Sequence, residues 1–99
     1  MDNLNDIFCH GPGAVLAWVH RRPVGVDELD AKLLADNCWS SAGEQAEIDI
    51  PLARQWGRAA LSVYEFLTDN AKPMVAESAR ENAQALRAWD MLRDESPAA

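Results

Sequence analysis

The strongest pattern in the sequence is a set of apolar residues that recurs at helical spacing between residues 49 and 71. Steps of four, four, three and four connect its members, which are Leu52, Trp56, Ala60, Val63 and Leu67. Such spacing predicts one continuous helical face. Asp49 can cap this helix, and Pro51 falls in its first turn, where a missing N–H costs nothing. Further apolar residues widen the face: Ala59, Tyr64 and Phe66. We therefore expect a central helix with more than one neighbour.

Weaker helical patterns lie on either side of this helix. A short N-terminal helical turn is interrupted by Gly11-Pro12-Gly13, and a helix is predicted for residues 13–22, closed by Pro23 and Gly25. A second helix is predicted for residues 27–37, capped by Asp27. Its apolar residues share one predicted stripe: Leu29, Leu33 and Leu34. The last helix is predicted from Pro73 to about Asp94.

The segment between residues 37 and 50 gives two conflicting signals. Ser41 followed by Glu44 fits a capping box, which predicts a short helix over residues 42–47. Ile48 and Ile50 alternate with acidic residues, which instead favours a short extended segment near residues 47–50. With 99 residues, the chain suits one domain. We expect an all-α fold, a small four- to five-helix bundle over residues 1–95, followed by a frayed tail at 96–99.

Residues with reactive or metal-binding side chains are few. Cys9, His10, His20 and Cys38 are the only soft ligands, and they lack the close pairs typical of zinc sites. We expect both cysteines to be small buried residues. We also expect most of the four tryptophans to lie in the core. The Gly11-Pro12-Gly13 stretch lacks the lysine of a phosphate-binding loop. The sequence thus predicts no enzyme, no cofactor and no metal.

The net charge of −7 opposes binding to nucleic acid and to anionic membranes. A helix-turn-helix formed by residues 13–22 and 27–37 would place acidic residues where a recognition helix needs cations. Direct DNA binding is therefore a weaker alternative. The sequence contains neither an apolar run long enough to span a bilayer nor a signal peptide, so we expect a cytoplasmic location with reduced cysteines.

The acidic residues concentrate between residues 27 and 49. Seven acids are opposed there by Lys32 alone, which gives the segment a net charge of −6. Helix capping accounts for some of these acids, so a solvated, capping-rich face is one interpretation. The other is a surface that docks on a basic partner, with Trp39 as an aromatic contact. The protein-binding candidates are Asp30, Asp36, Trp39, Glu44 and Glu47.

The leading hypothesis is a non-enzymatic interaction module that docks through this acidic segment on a basic surface of a larger nucleic-acid-handling protein. Small acidic inhibitors of the phage or mobile-element type, including anti-CRISPR proteins, share this size and charge, although no sequence motif links them to this chain. A homo-oligomeric structural or accessory subunit is the alternative, because the wide apolar face of the central helix could pack against a second copy.

Overall fold

Six helices make up the part of the chain that the computed structural model describes, residues 4–93. In chain order they are α1 (Leu4–Cys9), α2 (Pro12–His20), α3 (Glu28–Gln45), α4 (Ile50–Asn70), α5 (Pro73–Arg87) and α6 (Asp90–Arg93). No strand occurs in this range. The all-α prediction is confirmed. None of the helices in the described range is both long enough and apolar enough to cross a membrane.

Helix α4 begins where the sequence predicted. The Asp49 carboxylate accepts a hydrogen bond from the Leu52 N–H at 3.1 Å, and Pro51 lies in the first turn. This helix packs against α2, α3, α5 and α6, so its central position is confirmed. Short connections at residues 46–49 and 71–72 turn the chain back, and α3 and α5 both run antiparallel to α4.

Helix α3 is longer than predicted. Asp27 caps it through hydrogen bonds from the N–H groups of Leu29 and Asp30, at 2.9 and 3.1 Å. The predicted end at residue 37 is wrong, because burial of Cys38 and Ala42 holds the helix as far as Gln45. No separate helix starts at the predicted capping box. Residues 46–48 form a turn, so the extended segment near residues 47–50 is reduced to the backbone of Asp49.

The buried face of α3 also differs from the predicted leucine stripe. Its buried residues are mostly small: Ala31, Leu34, Ala35, Cys38 and Ala42. Leu29 is 70% exposed and Leu33 is 58% exposed. Small side chains let α3 approach α4 closely, and that approach sets the rotation of the helix. The other two leucines consequently face solvent.

The predicted last helix is broken in two. Helix α5 stops at Arg87, and α6 begins at Asp90 after a turn. The turn brings Trp89 back over Gly57 of α4, where a Cβ atom would lie 3.2 Å from the Trp89 ring. The Arg54 Nε donates a hydrogen bond to the Met91 carbonyl at 3.1 Å. The predicted end at residue 94 and the predicted tail at 96–99 lie outside the described residues.

Aromatic contacts attach the N-terminal helices to α4. The Phe8 ring of α1 lies 4.9 Å from the Trp56 ring, measured between centroids, and the Trp18 ring of α2 lies 6.1 Å from Phe66. Trp18 is buried. The other three tryptophans are partly buried and pack against the core. Helix α2 ends at His20, two residues before the predicted end, and Arg22 then adopts a left-handed conformation (φ 52°) just before Pro23.

Candidate functional site

The five predicted binding residues lie on two different sides of α3 and in the turn that follows it. Asp30 and Glu44 are exposed, and their separation of two heptads places them along one side of the helix. Glu47 is exposed in the turn beyond. Asp36 and Trp39 turn instead toward α4. The structure therefore divides the candidates rather than bringing them together into one site.

Asp36 has a structural partner. The hydroxyl of Tyr64, a fully buried residue, donates a hydrogen bond to Asp36 Oδ1, and the Lys32 Nζ donates to Oδ2 at 3.0 Å. Burial raises the pKa of Tyr64, and the hydrogen bond to Asp36 and its negative charge raise it further. The Asn82 side chain of α5 lowers the pKa of Tyr64, against the effects of burial and of Asp36. The hydrogen bond between Asp36 and Tyr64 joins α3 to α4.

Trp39 belongs to the same structural cluster. Its ring meets the Tyr64 ring edge-on, with centroids 6.1 Å apart and planes at 77°. Together with Asp36 and Ser40 the two rings surround a shallow depression of about 320 Å³. Edge-to-face packing of this kind adds to the stability of a core. Packing thus accounts for Trp39 without a partner.

The solvent side of α3 carries the feature that sequence reasoning missed. Leu29 and Leu33, one turn apart, are both largely exposed, and Asp30 lies between them in the sequence. We call Leu29, Asp30, Leu33, Asn37 and Glu44 the outer face of α3. The clue in the sequence was the small-residue stripe at Ala31, Ala35, Cys38 and Ala42, which points away from these leucines.

A groove separates the outer face of α3 from α1. Its volume is about 480 Å³, and its walls are Leu4, Asn5 and Phe8 from α1 and Asp30, Leu33, Leu34 and Asn37 from α3. A second depression of about 460 Å³ adjoins it near the α2–α3 connection and includes Val24, Val26 and Asp27. Leu4 and Asp30 line both depressions. Asp30 therefore lies where they meet.

The two cysteines differ in exposure. Cys9 is exposed, contrary to prediction, because α1 covers the core with Leu4, Ile7 and Phe8. Cys38 is buried as predicted, and burial raises the pKa of its thiol to about 12. Among residues 4–93, no three histidine, cysteine or acidic side chains are grouped so that they could hold a metal ion.

Comparison with known proteins gives no relative from which a function could be transferred. No family model, curated protein or solved structure matches the chain.

Proposed function

We propose that the protein is a non-enzymatic interaction module that docks through the outer face of α3 on a basic surface of a larger, nucleic-acid-handling protein in the cytoplasm. The observation that carries the proposal is the exposure of Leu29 and Leu33, at 70% and 58%, beside Asp27 and Asp30. Exposed leucines at adjacent turns of a helix are typical of a surface that another protein covers.

The charge of this region selects the kind of partner. The segment from residue 27 to residue 49 has a net charge of −6, and the rest of the chain has a net charge of −1. An interface with this polarity attracts a positive surface and repels nucleic acid. Positive surfaces on intracellular proteins are commonly those that bind phosphate backbones. Binding there would block access to DNA or RNA, which makes an inhibitor of the anti-CRISPR-like kind the preferred hypothesis.

Charge reversal on two surfaces tests the proposal. The first variant combines Asp30→Lys, Glu44→Lys and Glu47→Lys, which changes exposed acids of α3 and its following turn. Asp36 is left intact because it bonds to Tyr64. The matched control makes the same change of charge on α4 and α5, at exposed residues Asp69, Glu77 and Glu81.

Wild-type protein and both variants are used for affinity capture from the native host, followed by quantitative mass spectrometry. We expect the wild type and the control to enrich a basic nucleic-acid-binding protein, and the α3 variant to lose it at least about tenfold. The affinity for the purified partner should also fall with rising salt. Equal enrichment by the α3 variant, or an acidic protein as the strongest partner, would contradict the proposal.

One observation favours the interaction module over the homo-oligomer hypothesis. The wide face of α4 that suggested it is covered by α2, α3, α5 and α6. A symmetric dimer through Leu29 and Leu33 would bring the Asp30 side chains of two copies together, and this repulsion opposes pairing. Sedimentation at micromolar concentration distinguishes the two hypotheses, and a stable dimer would favour self-association.

A further inference from the structure

We define the groove between α1 and α3, together with the adjoining depression at the α2–α3 connection, as one elongated depression. Its two parts share Leu4 and Asp30, and together they follow α3 from Asp27 to Asn37. At about 1.5 Å per residue, that stretch is roughly 15 Å long, close to three helical turns. An occupant that fits the whole depression is therefore the length of a short helix.

The walls of the groove combine apolar residues (Leu4, Phe8, Leu33 and Leu34) with polar ones (Asn5, Asp30 and Asn37), and the apolar residues are held in place. Phe8 packs against Trp56 at 4.9 Å between ring centroids, which fixes α1 to the bundle. Leu34 is buried and forms the floor on the α3 side. Leu33 belongs to the groove and is also 58% exposed, so apolar surface continues from the groove onto the outer face of α3. A small molecule inside the groove would leave Leu29 uncovered, whereas a helix lying along α3 would cover both leucines.

The rim of the depression is acidic. Asp27 and Asp30 line it, and among the described residues no lysine or arginine lines either part. A helix that places leucines or phenylalanines in the groove would bring its flanking residues close to these carboxylates. Lysine or arginine at the flanks would form ion pairs there, and acidic residues would be repelled.

We infer that the α1–α3 groove binds a basic amphipathic helix of the partner protein, with apolar side chains at adjacent turns in the groove and a cation against Asp30. The inference rests on the proposed function and specifies the form of the partner's binding segment. Recognition of an amphipathic helix by a groove between helices follows from the match of its apolar face to the groove.

A synthetic peptide tests the inference. The probe is a helical peptide of about 18 residues with leucines at i, i+4 and i+7 spacing and lysines on both flanks. A second peptide keeps the leucines and replaces every lysine by glutamate, and a third scrambles the first. Each is titrated against the isotope-labelled protein while NMR signals are followed. We expect only the basic helical peptide to bind, and to shift the signals of Leu4, Leu33 and Asn37 first.

Matched substitutions locate the binding site. Leu33→Glu should weaken the basic peptide at least about tenfold, because it places a charge in the apolar groove. Ile48→Glu introduces the same charge at an aliphatic residue that is 79% exposed and lies outside the groove, so it should leave affinity within about twofold. Both residues are exposed, and neither change should unfold the protein.

The inference is wrong if the basic peptide does not bind at millimolar concentration, or if the acidic or scrambled peptide binds equally well. It is also wrong if the signal shifts are confined to another surface, or if Leu33→Glu and Ile48→Glu weaken peptide binding equally. Self-association that saturates the same signals would also overturn it. If the basic peptide does not bind while the charge-reversed α3 variant still loses the host partner, the groove inference fails and the proposed function stands.

Discussion

Replacing Tyr64 by phenylalanine removes a single oxygen atom, the one whose hydrogen bond to Asp36 joins α4 to α3. The ring remains and stays fully buried, so the packing against Trp39 is retained. The hydrogen bond to Asp36 is lost. The variant therefore measures the contribution of the hydroxyl with little change in shape.

The expected loss follows from the surroundings of the carboxylate. A hydrogen bond to a charged group stabilises a protein by about 1.5–3 kcal/mol. The Asp36 side chain is 41% exposed and keeps its contact with Lys32, so water can replace part of the lost bond. We expect Tyr64→Phe to lower the free energy of unfolding by about 1.5–2 kcal/mol. For a chain of this size that corresponds to a fall in Tm of roughly 6–16 °C.

Urea denaturation of the wild type, Tyr64→Phe, Asp36→Ala and the double variant gives the coupling energy between the two residues. We expect coupling of at least about 1 kcal/mol. Lys32→Met serves as the control. It removes only the i, i+4 ion pair and should cost less than about 0.5 kcal/mol. A Tyr64→Phe variant as stable as the wild type, or a coupling energy near zero, would refute this structural role of Asp36.

Two further predictions concern buried groups. Burial raises the pKa of Tyr64, and that of Cys38 to about 12, so the folded state keeps both protons after the unfolded chain has lost them. The contribution of these two protons to the free energy of unfolding is complete below about pH 9. Above the unfolded pKa of each group, the free energy of unfolding should fall by about 1.4 kcal/mol per pH unit, which urea denaturation at pH 8 and pH 10.5 checks. If the Tyr64→Phe/Cys38→Ala variant shows the same dependence on pH as the wild type, the prediction is wrong. In Gly57→Ala, the new methyl group lies 3.2 Å from Trp89, so we expect α6 to move outward and tryptic cleavage near α6 to become faster. The control is Gly43→Ala, because a methyl group at residue 43 meets open space. It should raise the free energy of unfolding by about 0.5–1 kcal/mol without faster cleavage.

Local chemistry made α4 predictable. The start of this helix depends on Asp49 and Pro51, two residues whose preferences act within one turn and need no tertiary partner. Its apolar period also agrees with its burial, because Ala60, Val63 and Leu67 all face the core. Where cap, proline and period agree, the sequence is sufficient to locate the element.

The outer face of α3 could not be predicted in the same way. Pattern reasoning gave most weight to the largest apolar side chains and assigned Leu29 and Leu33 to the core. The packed face is instead built from Ala31, Ala35 and Ala42, whose contribution depends on how closely another helix approaches. That distance is a tertiary property. The break after Arg87 could not be predicted either, because it depends on the space above Gly57, which is also a tertiary property.

The sequence also could not show that the acidic candidates lie on two different sides of α3. Asp36 and Asp30 are chemically identical, and only the position of Tyr64 gives one of them an internal partner. The concentration of charge in residues 27–49 was visible from the start. Which carboxylates of that segment are available to another molecule depends on helix rotation, and the sequence pattern misassigned that rotation.

The alanine-built interior has a consequence for how the protein responds to mutation. Of the 17 buried hydrophobic residues in the described range, nine are alanines: Ala31, Ala35, Ala42, Ala53, Ala59, Ala60, Ala76, Ala79 and Ala83. Adding even one methylene group at such a position overpacks a closely approached helix pair, at a typical cost of about 1–3 kcal/mol. Truncation to alanine, the usual way to map a core, leaves these nine positions unchanged. In a saturation library, we therefore expect the positions with the smallest side chains to be the most sensitive to substitution. The two outer leucines of α3 should tolerate substitution in the isolated protein and become constrained only when another molecule is bound to them.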